Sequence, residues 1–489
     1  MSLHTETDRK NLGAYYTPHL VANSLVRWAA KRPSDRLLDP SCGDGAFLKC
    51  HRNAVGVELD PRAIAIAHSH APHSRIHAED FFSWVGKTRE RFDCVVGNPP
   101  FIRYQRFSED ARKRALSFCA QMGSKISKLT SSWVPFIVAA TSVLKREGRI
   151  AFVVPAEIGH APYASPLIEH LSKSFSAVKI LAIRKKLFPD LSEDAWLLFA
   201  EGFECGPTKN ISLTKCDELI DLVAALRSPS RISLEQWKKF NCRLRPFILP
   251  SDALSFYTSL LERKRTMPLG EFAQVGIGYV TGANDFFHIR PSQARMLEIP
   301  EQFLVSAVRN SSCLAKGDIV KDRVKEWIQA DSPFLLLRLG LKDPVPDVVR
   351  NYLNSRDGRL AQATYKCRTR TPWYVVPHVH VPDAFLSYMC GREAVLVANQ
   401  ARCVGTNSVH GVYLKEGASL DALTASWGNS VTRLSCELEG HPLGGGMLKL
   451  EPREAMRVQI PSPALKLTRA ETRLLEDATT MMRKWRHYE

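Results

Sequence analysis

The sequence predicts an α/β fold for its first half and a mixed α and β domain for its second half. Two apolar runs carry this prediction, because each ends in a turn that no strand could continue. Phe92–Val96 runs into Gly97-Asn98-Pro99-Pro100, and Leu37-Leu38 runs into a glycine-rich stretch that begins at Asp39. Proline cannot donate to a β-ladder, so the chain must leave the sheet at the turn that contains Pro99 and Pro100. In open α/β sheets, ligands bind at this carboxyl edge of the strands.

Length and charge favour two domains and a polyanionic partner. The chain has 489 residues, more than one ordinary domain needs. Its 67 Lys and Arg residues against 50 Asp and Glu residues give a formal net charge of +17. Nucleic acid is the natural partner for such a surface, although a basic balance also serves solubility alone.

Cysteine usage and hydropathy indicate a cytoplasmic protein. The 12 cysteines are scattered and include no C-x-x-C pair, which favours reduced core residues over disulfides or a metal site. The first ten residues lack the apolar segment of a signal peptide, and the apolar stretch Trp133–Leu144 is too short to span a bilayer. We therefore expect a location inside the cell, no membrane association and no metal.

The amino-terminal part predicts a helix and then a ligand-binding loop. Thr17 suits the N-cap and Pro18 the first turn of a helix that runs to Ala30. After the first strand, we expect the loop to bring backbone N–H groups and the Asp39 carboxylate up to a nucleotide-like ligand, and then to enter a helix. The loop residues are Ser41, Cys42, Gly43 and Gly45.

A second strand, Ala54–Asp60, ends in acidic residues. Glu58 lies roughly 20 residues past Asp39, where a carboxylate can accept hydrogen bonds from both ribose hydroxyls of a bound nucleotide. A surface acid at a strand end is the alternative reading, and the loop upstream favours the ligand.

The Asn-Pro-Pro-Phe turn offers two acceptors beside an aromatic face. The Asn98 side-chain oxygen and the Pro99 carbonyl can both accept hydrogen bonds, and Phe101 can stack on a planar ring. This combination suits a planar amine, whose lone pair becomes available for attack on a methyl sulfonium when both of its protons are accepted. An ordinary turn remains the alternative for this motif taken alone.

The motifs together resemble a known family. Asp-Pro-x-Cys-Gly-x-Gly at 39–45 and Asn-Pro-Pro-Phe at 98–101 follow Gly13-Ala14-Tyr15-Tyr16-Thr17-Pro18. This order is similar to that of the gamma-class, TaqI-like DNA adenine-N6 methyltransferases of restriction-modification systems. The resemblance implies a Rossmann-like catalytic domain that uses S-adenosyl-L-methionine and acts on a flipped adenine in double-stranded DNA.

The resemblance also implies roles for individual residues. Tyr16, Thr17 and Pro18 would lie against the methionine end of the cofactor. Asp80 would accept the amine of the cofactor's adenine, and Phe81 would line its ring. The catalytic residues implied are Asn98, Pro99, Pro100 and Phe101, with Phe188 on the opposite wall of the target-base pocket. Ser131, Ser132 and Trp133 depart from the family pattern, and the resemblance assigns them no role.

We place the catalytic domain at 1–250 and a DNA target-recognition domain with a C-terminal helix at 251–489. Predicted strands Arg149–Val154, Ile180–Ile183 and Ala195–Ala200 complete the first domain. The second carries short β-like runs at 272–289, 333–341, 373–381 and 394–405. Arg103 in the first domain, and Lys366, Arg368 and Arg370 in the second, are candidate DNA contacts, although solvated basic loops would look alike.

Several rival functions use similar residues. Asn-Pro-Pro-aromatic turns also act on RNA amines and on protein glutamine, and a non-catalytic DNA-binding module is a further alternative. Cytosine-C5 transfer is disfavoured because that family's nucleophilic cysteine follows a proline, and no cysteine here does. Cytosine-N4 enzymes tend to carry Ser in place of Asn98, which favours adenine. The sequence also leaves open whether a separate cognate restriction endonuclease is a partner of this protein.

Overall fold

The computed structural model describes residues 17–102, 108–128, 130–188 and 193–488. Tyr16 and Arg103 lie outside the described residues. The chain divides into two compact units, Met1–Ile248 and Leu249–Glu489, close to the division that the sequence predicts at residue 250. No helix in the described ranges has the length and apolar character needed to cross a membrane.

Unit 1 is built on one nine-stranded sheet with the strand order β3-β2-β1-β4-β5-β7-β6-β8-β9. The first five strands in this order are parallel to one another, and β7 is antiparallel to both of its neighbours. The predicted α/β class is thereby confirmed. The strands are β1 (Leu37–Asp39), β2 (Ala54–Glu58), β3 (Arg75–Ala78), β4 (Phe92–Gly97), β5 (Leu144–Pro155), β6 (Phe175–Ile183), β7 (Ala195–Phe203), β8 (Asn210–Cys216) and β9 (Ser230–Ser233).

The helices of unit 1 cover the sheet through apolar faces. Helix α1 buries Val21, Ala22, Leu25, Val26 and Ala29, which recur at helical spacing and pack in the same cluster as strand residues of β1 and β4. The helices are α1 (His19–Ala29), α2 (Pro61–His70), α3 (Phe81–Val85), α4 (Glu109–Gln121), α5 (Trp133–Thr141), α6 (Ser165–Ser174), α7 (Leu222–Ala225) and α8 (Leu234–Lys239).

Two local predictions for unit 1 are wrong. Helix α1 begins at His19, with Pro18 in the N-cap position, because the Thr17 hydroxyl contacts Asn98 instead of capping the helix. The glycine-rich loop enters a single 3₁₀ turn at Leu48–Cys50 instead of an α-helix. Since β2 begins at Ala54, the chain has too few residues there for an α-helix.

Unit 2 contains four small sheets instead of one large sheet. Their strand orders are β10-β22, β11-β19-β15-β17, β12-β14-β13-β18 and β16-β21-β20. The strands are β10 (Thr266–Pro268), β11 (Ala273–Ile277), β12 (His288–Ile289), β13 (Leu304–Val308), β14 (Leu335–Leu337), β15 (Ala384–Ser387), β16 (Met389–Cys390), β17 (Leu396–Ala398), β18 (Val404–Gly405), β19 (Val409–Leu414), β20 (His441–Pro442), β21 (Leu448–Lys449) and β22 (Gln459–Pro461).

Unit 2 is mixed α and β, as the sequence predicts, but the predicted β-like run at 373–381 contains no strand. Pro377 interrupts that stretch and removes an N–H donor from its middle, and Pro372 and Pro382 flank it. The helices are α9 (Ser251–Glu262), α10 (Leu269–Phe272), α11 (Asn284–Phe287), α12 (Pro291–Met296), α13 (Lys321–Gln329), α14 (Asp347–Leu353), α15 (Arg356–Ala363), α16 (Tyr365–Arg368), α17 (Leu420–Trp427), α18 (Ser430–Glu439), α19 (Pro452–Ala455) and α20 (Arg469–Lys484).

A buried ion pair connects the end of α20 to α18. The Arg486 guanidinium donates to both oxygens of the Glu437 carboxylate, at 2.9 Å and 2.7 Å. Arg486 is 0% exposed and Glu437 is 2% exposed. The same guanidinium donates to the carbonyls of Gly446 and Arg392, so one side chain holds two loops as well as a helix.

Candidate active site at the strand ends of unit 1

The Asn-Pro-Pro-Phe turn leaves β4 at the carboxyl edge of the sheet, beside two other predicted segments. The Asn98 Nδ2 donates to the Thr17 Oγ1 at 3.2 Å. The Ser41 Oγ donates to the Asn98 carbonyl at 3.4 Å. The structure therefore brings together the Thr-Pro segment, the glycine-rich loop and the Asn-Pro-Pro-Phe turn, which are far apart in the sequence.

Asp39 ends β1 and lies against the end of β4. A Cβ atom added to Gly97 would lie 3.0 Å from the Asp39 Oδ1, so a larger residue at the end of β4 would press on this carboxyl. The Oδ1 accepts from the Ser41 N–H at 3.2 Å, and the buried Oδ2 has no hydrogen-bond partner among the described residues. Burial raises the pKa of the Asp39 carboxyl well above its usual range.

Glu58 ties the glycine-rich loop to the end of β2. One of its carboxylate oxygens accepts from the Gly43 N–H at 2.8 Å. The other accepts from the N–H groups of Leu59 and Asp60, at 2.8 Å and 2.9 Å. A carboxylate has about four acceptor sites, so these three bonds leave capacity for a further donor.

Two close approaches fix the shape of the glycine-rich loop. Gly45 has φ 82°, a left-handed conformation that side chains disfavour, and a Cβ there would lie 3.2 Å from the Ala67 Cα in α2. A Cβ on Gly56 of β2 would lie 2.7 Å from the Cys42 Sγ. Burial raises the pKa of the Cys42 thiol, so this side chain is a packing group and not a nucleophile.

Asp80 and Phe81 lie at the start of α3. The Asp80 Oδ1 caps this helix, accepting from the N–H and the hydroxyl of Ser83 at 3.0 Å and 2.9 Å. The Phe81 ring is 3% exposed, and its centroid lies 4.6 Å from that of Phe136. Both residues therefore have structural partners, and their contacts with the cofactor's adenine stay predictions.

Phe101 and Phe188 pack on the same apolar cluster of unit 1. Phe188 is a buried member of that cluster at 6% exposed, and the half-buried Phe101 packs against it. Their predicted places on opposite walls of a base pocket stay predictions.

One residue without a predicted role, Ser132, contacts the Asn-Pro-Pro-Phe turn. The Ser132 hydroxyl donates to the Pro100 carbonyl and accepts from the Ile102 N–H at 3.0 Å. In the sequence, the departure of residues 131–133 from the family pattern marks this segment as unusual, but it does not show what Ser132 contacts.

The three basic candidates of unit 2 differ in their surroundings. Lys366 and Arg368 are exposed, and their charged groups lie 5.9 Å and 5.5 Å from the ring centroid of Tyr365. The half-buried Arg370 donates to the carbonyl of Thr281 at 2.8 Å and to that of Val280. Lys366 and Arg368 can reach a ligand, whereas the Arg370 guanidinium is engaged in holding a loop.

The fold and these strand-end motifs define an S-adenosylmethionine-dependent methyltransferase, and comparison with known proteins gives its family. The model described as Type II methyltransferase M.Eco57I, C-terminal domain, matches residues 243–489, more than half of the chain. The model described as Eco57I restriction-modification methylase matches residues 68–188. The chain therefore belongs to the Eco57I-type restriction-modification methylases.

Individual relatives are similar over almost the whole chain. Type II methyltransferase M.XamI of Xanthomonas campestris pv. amaranthicola is 25% identical over 479 residues, covering 92% of this chain and 85% of its own. Type II methyltransferase M.AccI of Acinetobacter calcoaceticus is 19% identical over 473 residues, covering 91% of this chain and 84% of its own. The DNA complex of the Type IIL restriction-modification enzyme MmeI shares the fold, with a TM-score of 0.53 at 11% identity over 98% of this chain and 72% of that chain.

Proposed function

We propose that this restriction-modification methyltransferase transfers a methyl group to the N6 amine of a flipped adenine in double-stranded DNA. The observation that carries the proposal is the Asn98 side chain, which is anchored at the carboxyl edge of the sheet by its bond to Thr17. Because the Asn98 Nδ2 donates to Thr17, the rotation of the side-chain amide is set, and its Oδ1 faces away from Thr17.

The turn acts on the amine through two acceptors. The Asn98 Oδ1 and the Pro99 carbonyl would accept the two N6 hydrogens at an angle to the base plane, which draws the nitrogen towards sp3 geometry. The bound cofactor supplies an electrophilic methyl group on sulfur. The nitrogen lone pair would take the methyl group from the cofactor's sulfonium, the electrons of the S–C bond would stay on sulfur, and the amine would then release one proton to solvent.

The base must leave the duplex before the turn can reach it, since N6 is engaged in base pairing. Phe101 would stack on the extruded adenine, with Phe188 on the opposite wall. Stacking of this kind contributes about 1 to 3 kcal/mol per base. The aromatic pair would therefore hold the base while the acceptors act on its amine.

The residues around the glycine-rich loop suit S-adenosylmethionine. The Asp39 carboxyl is buried, its Oδ2 has no partner among the described residues, and its charged form is disfavoured, so a cationic ligand would stabilise it. Glu58 keeps acceptor capacity for one further donor, which a ribose hydroxyl would fill. The residues that would hold the cofactor are Tyr16, Thr17, Pro18, Asp39, Ser41, Cys42, Gly43, Gly45, Glu58, Asp80 and Phe81.

We assign target recognition to unit 2. The exposed Lys366 and Arg368, on either side of the exposed Tyr365, present two cations and an aromatic face on one short helix. Cations neutralise phosphates and bind base edges, and a ring offers a stacking surface. Arg370 contributes by supporting the loop at Val280 and Thr281.

The decisive experiment replaces Asn98 with Ala. Methyl transfer to plasmid DNA should fall by about 10² to 10³, as for the loss of one positioned polar partner in a transition state. Cofactor affinity, measured by calorimetry, should be nearly unchanged. Asn53→Ala, which removes an amide bonded to the Ser34 carbonyl at 3.0 Å, is the matched control and should leave transfer intact.

Nucleoside analysis of DNA treated with the wild-type protein identifies the product. N6-methyladenine is expected. N4-methylcytosine would refute adenine as the target, and methylation of RNA or protein in preference to duplex DNA would refute the substrate class.

A further inference from the structure

One side chain contacts both peptide groups that flank Phe101. The Ser132 Oγ donates to the Pro100 carbonyl, which belongs to the peptide before Phe101. It accepts from the Ile102 N–H at 3.0 Å, which belongs to the peptide after Phe101. The Ser132 N–H also donates to the Ile102 carbonyl at 2.9 Å. These three hydrogen bonds restrain the two backbone dihedral angles of Phe101.

The chemistry of the turn explains why a hydroxyl is needed. Pro99 and Pro100 have no N–H, so they cannot anchor the turn by donating. It can be held through a carbonyl and through an N–H that follows the prolines, here that of Ile102, and a hydroxyl can accept from the N–H and donate to the carbonyl. Ser132 supplies both functions from one atom and is 2% exposed, so water does not compete for these bonds.

Ser132 occupies the N-cap position of α5, yet its side chain does not cap that helix. A serine there ordinarily accepts from an N–H of the first turn and stabilises the helix by about 1 kcal/mol. Here the hydroxyl is directed to the catalytic turn instead. The helix start thus gives up a local contact for one with a strand-end loop 32 residues away.

The neighbours of Ser132 anchor it in turn. The Trp133 Nε1 donates to the Tyr163 hydroxyl at 3.4 Å, and Trp133 is 0% exposed. The Tyr163 hydroxyl donates to the Glu157 carboxylate, just past the carboxyl end of β5. Ser131 also hydrogen-bonds with Tyr163. Ser132 is therefore held on both sides by a network attached to the strand next to β4.

We propose that Ser132 is a positioning residue, which fixes the backbone of Phe101 and thereby aims its ring at the extruded base. The inference rests on the proposed function, because it assigns the ring a base to meet. Ser132 touches neither the reacting amine nor the methyl group. Its effect on the reaction passes through Phe101.

The test is a double-mutant cycle with Ser132→Ala, Phe101→Ala and the double variant, followed by single-turnover methyl transfer to plasmid DNA at saturating cofactor. We expect Ser132→Ala to slow transfer by about 10- to 100-fold, the scale of a misplaced reacting group. Because Ser132 acts through Phe101, its loss should add little in the Phe101→Ala background. Cofactor affinity should stay unchanged throughout.

Two controls separate positioning from packing. Ser124→Ala removes another buried hydroxyl of the same loop region, one that bonds to His170 at 2.8 Å, and should not slow transfer. Ser132→Thr keeps a hydroxyl and should transfer methyl groups at a rate close to that of the wild type. Thermal midpoints of all variants report how much folding each change affects.

The outcomes distinguish this inference from the proposed function. Additive effects of Ser132→Ala and Phe101→Ala, or equal losses in Ser132→Thr and Ser132→Ala, would overturn the positioning role while leaving the adenine assignment intact. A wild-type protein that does not methylate adenine in DNA would overturn both. Strong coupling in the cycle, with N6-methyladenine as product, supports both.

Discussion

The Asn-Pro-Pro-Phe turn of unit 1 and two loops of unit 2 are held by different kinds of contact. In unit 1 the turn is held by hydroxyl groups, those of Thr17, Ser41 and Ser132. In unit 2 the loops at Thr281 and Gly446 are held by guanidinium groups, those of Arg370 and Arg486, which donate to backbone carbonyls. The turn therefore depends on small neutral groups and the two loops on long charged side chains.

This difference teaches where substitutions should act. Removing a hydroxyl does not leave a buried charge without a partner. Changes around the Asn-Pro-Pro-Phe turn should therefore affect the reaction more than the stability of the fold. An arginine that is buried with its partner carboxylate cannot be removed in this way, because the remaining charge stays in a poorly solvating environment. Changes to the anchors of unit 2 should therefore affect folding first.

Arg486→Met tests this contrast most strongly. It removes the guanidinium that pairs with the buried Glu437, and the free energy of unfolding should fall by about 3 to 5 kcal/mol. Urea denaturation measures the loss. Arg473→Met is the matched control, since Arg473 and Asp477 pair at the surface with side chains 84% and 75% exposed, and it should change stability by less than about 1 kcal/mol. Equal effects of the two variants would show that the buried Arg486–Glu437 pair does not anchor unit 2 more strongly than a surface pair does.

A pH series tests whether the units differ in their buried histidines as well. Burial is the largest cause that lowers the pKa of His170 in unit 1 and of His288 in unit 2, each to about 4 from 6.5. Above pH 6.5 both histidines are neutral in the folded and the unfolded states, so protonation does not reduce the free energy of unfolding there. As the pH falls from 6.5 to 4, the unfolded chain binds protons that the folded chain resists, and stability is lost.

Each histidine should account for up to about 3 kcal/mol of this loss. We expect the unfolding free energy to fall steadily across this interval, with a shallower slope in His170→Gln and in His288→Gln. A slope changed by one of the two variants alone would show that the units differ in pH response as well as in anchoring.

Arg370, Lys366 and Arg368 provide the finest test, because they lie close together in sequence but have different contacts. Arg370→Ala should lower stability by about 1 to 3 kcal/mol, the range for hydrogen bonds from a charged group. Lys366→Ala and Arg368→Ala should leave stability unchanged and each lower the slope of log DNA affinity against log salt by about 0.9. A salt slope altered most by Arg370→Ala would mean that its guanidinium binds DNA.

The sequence predicts the fold of unit 1 well because the signals there are local. The apolar runs before Asp39 and Asn98 end in residues that cannot continue a strand, and parallel strands align their carboxyl ends at one edge. The sequence therefore places both turns at the same edge of the sheet, and the strand order, with β4 next to β1, brings them side by side. The start of α1 was placed wrongly because the contact that moves Thr17 away from the helix comes from Asn98, which no local pattern reveals.

The rest of the site depends on contacts between distant residues. Ser132 reads as a helix N-cap in sequence, and only the folded chain shows its hydroxyl on the catalytic turn. In sequence, Arg370 resembles Lys366 and is predicted to be a DNA-binding cation. In the structure its guanidinium donates instead to the Val280 carbonyl, in a loop 90 residues earlier. Short apolar runs with a proline inside them, as at 373–381, likewise give too little periodicity to separate strand from coil.

The close approach of Gly56 to Cys42 implies that a substitution at one of these two positions limits what the other can accept. A side chain at position 56 would need the space of the Cys42 Sγ, 2.7 Å from the added Cβ, and that of the Leu48 Cδ1, at 2.9 Å. In a library that randomises both 42 and 56, alanine at 56 should survive selection mainly in company with glycine or alanine at 42. The glycine-rich loop and the second strand thus share one small volume, and the residue at either position limits the size of the other.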